Sequence, residues 1–185
     1  MSPIPLEGPA VEPVSTSEMR AFLRLDDGTE DALVAALIAA ARRQVEALCG
    51  RVLLGSRWRF GLDRWPAGGV LALSPSPVLA VEAVRVSGAG GTSVLLAPVL
   101  YRLVPGDPAR LVVDPARPEP AVPIGGIAVD LRAGYGETAA DVPAPLVQAI
   151  RLLAARSFEH RGDDDQPAIP PEVLSLVAPF RRARL

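Results

Sequence analysis

The chain has 185 residues, 49% of them hydrophobic and 22% charged, with a formal net charge of −2; this composition excludes wholesale disorder, and the length suits one domain or a core carrying one sizeable insertion. Its cations are all arginine, 19 in number, spread as net charges of about −1 over residues 15–56, +2 over 57–136, −3 over 137–171 and +2 over 172–185. This distribution excludes the polybasic stripe that a protein gripping DNA phosphates needs.

Residues 1–14 are proline-rich, with neither a basic start nor a long apolar run, and are expected to be a flexible arm rather than a signal peptide or membrane anchor. Ser15 followed by Glu18 has capping-box spacing, so a short helix carrying Met19, Phe22 and Leu23 should end near Leu25 at the acidic turn Asp26-Asp27-Gly28-Thr29. A second helix should start at Glu30 and Asp31 and stop at Gly50, its apolar stripe being Leu33, Leu37, Ala41, Val45 and Leu48, widened by Val34 and Ile38.

From residue 57 to 136 glycine and proline recur and the apolar period falls toward two, the pattern of antiparallel β structure in a barrel or sandwich. Trp58, Phe60 and Leu62 alternate with Arg57, Arg59 and Gly61 in a half-buried strand. Further strands are expected over Val70–Leu73, Leu79–Ser87, Val94–Leu96, Tyr101–Val104, Leu111–Val113 and Ile127–Arg132. Helix returns after Gly134-Tyr135-Gly136: Pro143 and Pro145 suit a first turn, and Leu146, Ala149, Ile150, Leu153 and Ala154 form a core-facing row reaching about His160. The run Gly162 to Asp165 is a polar loop, and Pro170-Pro171-Glu172 opens a last short helix through Val173, Leu174 and Val177. The predicted fold is therefore α+β, with a helical core formed by residues 15–56 and 137–178, an antiparallel β subdomain at 57–136 inserted between them, and a basic tail at 179–185.

No residue pattern calls for catalysis, metal or cofactor. His160 beside Asp163, Asp164 and Asp165 reads as a solvated loop, and Asp26, Asp27, Glu30 and Asp31 are explained by capping and the helix dipole. Gly88–Gly91 lacks the Lys-Ser/Thr and helix of a phosphate loop and reads as a hairpin turn. Cys49, the only cysteine, has no base near it in sequence and reads as a small buried apolar residue, fitting a reducing compartment; with one histidine and no Gly-x-Ser-x-Gly elbow, Ser-His-Asp catalysis is disfavoured. Trp58 and Trp65 read as sheet core.

Four stretches, in this order and spacing, resemble the head-tail connector (adaptor) proteins of long-tailed phages and gene transfer agents. They are Leu25-Asp26-Asp27 with Glu30-Asp31-Ala32-Leu33 and onward to Val45-Glu46; Gly134-Tyr135-Gly136; Val142-Pro143 with Gln148-Ala149-Ile150; and Leu176-Val177-Ala178-Pro179-Phe180-Arg181. The resemblance covers Ser15 to Leu185. It implies a non-enzymatic virion assembly protein without cofactor, assembled in the bacterial cytoplasm and placed in the particle neck as a homo-oligomeric ring, twelve subunits by analogy with the portal. Its partners would be the portal above and a stopper or tail-terminator protein below, with DNA passing through the channel without sequence-specific binding and with no membrane. One departure is Phe158 and Phe180 where relatives carry tyrosine, which removes two hydroxyl contacts. The tail residues Pro179, Phe180, Arg181, Arg182, Arg184 and Leu185 are the expected partner-docking segment, toward the portal. The competing classes are another neck or tail-completion ring protein, which would be mostly β; a nucleic-acid-binding module, which would show salt-sensitive DNA affinity; and a small metal-dependent hydrolase, which would lose stability in chelator.

Overall fold

A computed structural model of the chain describes residues 3–160 and 169–181. It is α+β, as expected, and divides into two compact units: residues up to Ala10 with Gly55–Tyr135, and Val11–Leu54 with Gly136 onward. The β unit is thus inserted between two helical stretches, and it also takes in the first ten residues.

In the helical unit, α1 (Thr16–Leu23) begins with a complete capping box: the Glu18 amide donates to Ser15 Oγ at 3.2 Å and the Ser15 amide to Glu18 Oε2 at 2.8 Å. Helix α2 (Asp31–Cys49) ends on Gly50, whose φ of 68° supplies the left-handed C-cap. Helix α3 (Ala144–Glu159) packs against α2, and α4 (Pro171–Val177) against α3. The core row of α3 holds as read and extends to Phe158. On α2 the stripe is rotated from the expected one. Val34, Ile38, Ala41, Val45 and Cys49 are buried, while Leu33, Leu37 and Leu48 stand half-buried on its shoulders; α3, α1 and α4 all pack on this helix. Phe22, expected inside, is exposed, and Met19 alone of α1 is fully buried.

The β unit holds two antiparallel sheets, neither closed on itself. Strands β1 (Ile4–Glu7), β2 (Ser56–Leu62), β4 (Val78–Ser87), β5 (Ser93–Leu95) and β8 (Ile127–Ala133) form one in the order β1-β2-β8-β4-β5; β3 (Val70–Ala72), β6 (Tyr101–Val104) and β7 (Arg110–Val113) form the other in the order β3-β7-β6. Alternation in β8 sends Ile127, Val129, Leu131 and Ala133 into the core, where Leu62, Phe60 and Trp58 of β2 and Val86 and Val84 of β4 stand in register with them. Gly88–Gly91 is the hairpin turn between β4 and β5, closed by the Gly88 amide on the Thr92 carbonyl at 2.7 Å.

Residues 4–7 correct the expectation of a flexible arm. Proline removes a ladder donor, but an edge strand pairs on one side only and tolerates that loss. Ile4 stands opposite Arg59 and Pro5 opposite Trp58, with a bulge before Glu7 meets Arg57.

Candidate assembly surfaces

The outward phase of the five-stranded sheet is polar at its centre where its inward phase is apolar. Arg57 and Arg59 on β2 stand opposite Arg132 and Asp130 on β8, and Arg85 on β4 faces the same side opposite Ala128. An aspartate in a central strand is disfavoured unless paired, and Asp130 is only 2% exposed. Its carboxylate accepts Arg59 Nε at 2.6 Å on Oδ1 and Arg59 Nη2 at 2.9 Å on Oδ2, a side-on bidentate pair, and Arg85 Nη1 also donates to Oδ2. The Arg59 hydrogen bonds, followed by those of Arg85, hold this carboxyl below the usual aspartate range against the opposing effect of burial. The two guanidinium side chains remain 42% and 40% exposed. Beside them Arg57 is shared by Glu82 at 2.8 Å and Glu7 at 3.6 Å.

The same face carries apolar residues at both sheet edges: Ile4, in register with Arg59, is 60% exposed, and Leu95, in register with Arg85, is 62% exposed. Reading across the strands, an isoleucine, an arginine fork over a buried carboxylate, and a leucine follow one another. Arginine centred among apolar residues is the composition of association surfaces rather than of solvated ones.

In the helical unit, a second arginine organises a buried network. Arg42, inside the apolar stripe of α2, donates from Nε to Glu12 at 2.7 Å and from Nη1 to Glu46 at 2.8 Å, while Glu46 Oε1 accepts the Leu53 amide at 3.0 Å. The guanidinium ties the segment at Glu12 to α2, and Glu46 passes the tie on to the segment at Leu53. Burial pushes the Glu46 carboxyl up, opposed by the Leu53 amide and Arg42.

The predicted docking tail is partly anchored. Ala178–Phe180 continue α4 as a 3-10 turn, and the Phe180 carbonyl accepts Arg51 Nε at 2.6 Å, so Phe180 is half-buried while Pro179 and Arg181 are exposed. Arg182, Arg184 and Leu185 lie outside the described residues, as do Asp163, Asp164 and Asp165. His160 is exposed, with Nδ1 3.0 Å from the Arg156 carbonyl. Asp27 accepts the Thr29 amide at 3.1 Å and Asp31 pairs with Arg20 at 3.4 Å. Among the described residues no three His, Cys, Asp or Glu side chains are grouped to hold a metal ion, and no helix is long and apolar enough to cross a membrane. Cys49 is buried, which pushes its thiol up. Of the two tryptophans only Trp65 is core, its Nε1 donating to the Pro118 carbonyl at 2.9 Å under the Arg117 guanidinium; Trp58 is half-buried.

The Asp130 fork was not singled out in the sequence. Its signal was Asp130 two residues before Arg132 in the outward phase of a strand whose inward phase is wholly apolar, together with the Arg-x-Arg of β2.

No protein-family model matches the chain, and no curated protein sequence does. Solved structures do. The chain is similar over its whole length to a chain in the neck of an empty gene transfer agent particle computed with C6 symmetry, at 29% identity and a TM-score of 0.83, covering 97% of that chain. It is equally similar to a chain in the virion of a native gene transfer agent particle, at 29% identity and a TM-score of 0.82 over 100% of this chain and 97% of that one. In the neck of a native particle computed with C12 symmetry the match is 28% identical with a TM-score of 0.73, over 97% of each chain.

Proposed function

We propose that this chain, alike from end to end to chains in the necks and virion of gene transfer agent particles, is a structural head-tail connector: a non-enzymatic ring subunit of a phage-like neck. The observation that carries the reading is the whole-length likeness, with a TM-score of 0.83 at 29% identity. Neighbours in necks of C6 and C12 symmetry favour a closed ring, and twelve copies below the portal is the stoichiometry we adopt. Helices on both sides of the inserted sheets favour a connector over the mostly β stopper and terminator proteins. In this role the ring continues the DNA channel from portal to stopper, and a net charge of −2 without a basic stripe lets DNA pass without being held.

Electron microscopy of particles made by the producing cell tests the reading: neck density should accept this fold in a closed ring, and its absence from the neck would overturn the assignment. Two truncations test the tail. Removing residues 182–185 leaves the Phe180 carbonyl on Arg51, so a folded protein that fails to join portal-bearing heads is the expected result. Removing 179–185 should fail in the same way, with some added loss of stability. Normal attachment by both would remove the tail from the portal contact.

A further inference from the structure

We infer that the outward side of the Arg59–Asp130–Arg85 cluster is a carboxylate-binding fork, and that its ligand is the acidic turn Asp26-Asp27 of a second copy of this chain. The inference rests on the ring reading above and adds which surfaces meet.

One buried carboxylate cannot balance two guanidiniums, so the cluster carries a surplus positive charge. Arg59 spends Nε and Nη2 on Asp130, and Arg85 spends Nη1. The Arg59 Nη1 and the Arg85 Nε and Nη2 have no partner among the described residues, on side chains 42% and 40% exposed. Both side chains are already held, so an incoming oxyanion meets donors whose rotamer entropy has been lost in folding. Ile4 and Leu95 flank the fork on the same face and exclude water from a contact that forms there.

The ligand is a local anion rather than a polyanion. Glu7 and Glu82 lie beside the fork on Arg57, and a nucleic-acid strand, which presents a charge every few ångströms, would meet them as well as the arginines. A pair of carboxylates on one turn meets only the fork.

A second copy has that turn in the right place electrostatically. The β unit has eight arginines against seven acidic residues, whereas the helical unit has eleven against fourteen, so the acidic excess of the chain lies in the helical unit. Its densest described point is the turn before α2. There Asp31 is answered by Arg20 at 3.4 Å, while Asp26 and Asp27 are exposed and, among the described residues, neither is in an ion pair, Arg20 acting on Asp27 only at longer range. A basic β face meeting an acidic helical turn is a contact between unlike surfaces, the kind that closes into a ring.

The test uses the full chain with Cys49→Ala. Two single-cysteine proteins, Thr29→Cys beside the acidic turn and Leu95→Cys beside Arg85, are mixed at high concentration and oxidised. A mixed disulfide dimer should form at least ~10-fold faster than when Ile124→Cys replaces Leu95→Cys, and 0.5 M salt should suppress it. Asp26→Asn with Asp27→Asn, on an exposed turn, should reduce the rate by a similar factor, as should Arg59→Gln with Arg85→Gln; circular dichroism identifies any variant that fails to fold. A rate equal to the Ile124→Cys control, or unaffected by the Asp26 and Asp27 changes, overturns the contact. Binding of a 20-base-pair duplex that vanishes in Arg59→Gln/Arg85→Gln, with cross-linking unchanged, would overturn it in favour of phosphate. Particles whose neck holds this chain but whose copies fail to cross-link leave the connector reading standing and sink the fork; absence of the chain from necks sinks the connector reading whatever the gel shows.

Discussion

Arg59 and Asp130 stand directly opposite one another across β2 and β8 and join side-on, Nε to Oδ1 at 2.6 Å and Nη2 to Oδ2 at 2.9 Å. A cross-strand pair is the unit by which a sheet is stabilised, and here it also makes an aspartate tolerable at the centre of a five-stranded sheet.

Replacing Asp130 by alanine should cost about 2 kcal/mol, since it leaves two guanidiniums gathered around nothing. The pH dependence follows from the direction of the shift. A carboxyl held below its unfolded value stabilises the fold above that unfolded value, and the contribution is lost as pH falls through the lower folded value. Urea titrations from pH 7 downward should therefore show wild-type stability falling below about pH 4, near the ordinary aspartate pKa, and the acid limb should flatten in Asp130→Asn.

Removing Arg42 should be more damaging. Glu46 would keep its place under the Leu53 amide but lose the cation beside it, and breaking such a buried pair costs about 3 kcal/mol at neutral pH. Because burial raises the Glu46 carboxyl, its charged form opposes folding above the unfolded value, and protonation relieves this. The deficit of Arg42→Met should accordingly be largest near pH 7.5 and shrink by pH 5, measured by chemical denaturation at both values; a deficit independent of pH would assign it to packing alone.

Gly136 is a position of close approach. A Cβ there would lie 2.3 Å from Asp141 Cγ, and Asp141 is the residue that accepts the Thr138 amide and hydroxyl at 2.8 Å ahead of α3. Gly136→Ala should displace that cap and cost on the order of 1 kcal/mol or more. The double variant with Asp141→Ala should be less destabilised than the sum of the two singles, since both remove the same cap. Thermal melts of the four proteins give the coupling directly.

Deleting residues 1–8 removes β1 and leaves β2 as an open edge. All four residues of β1 are exposed, so little apolar burial is lost. The expected change is faster amide exchange along β2 and a rise in aggregation at high concentration, with α2 and α3 unchanged. Hydrogen exchange by mass spectrometry resolves the two regions.

Much of the secondary structure was legible in the chain because its signals act over a few residues. Ser15 with Glu18 starts α1, Gly50 stops α2, and the glycine run 88–91 turns β4 into β5. The period-two stretches placed the strands to within a residue or two. Of the apolar residues read for α1 and α4, Met19, Val173 and Val177 are fully buried, whereas Phe22 and Leu174 are exposed.

What remained hidden depended on partners far along the chain. Asp130 lies 71 residues from Arg59 and 45 from Arg85, and only the strand order β2-β8-β4 brings them to one point. The rotated stripe on α2 came from how α1, α3 and α4 pack on it, the edge strand at residues 4–7 from β2 offering a ladder that a proline could still join, and the hold on Phe180 from Arg51, 129 residues away. Local propensity decides which residues coil or extend. Which polar groups end up buried together is decided by register and packing between segments, because a buried charge is stable only where the tertiary fold delivers its counter-charge.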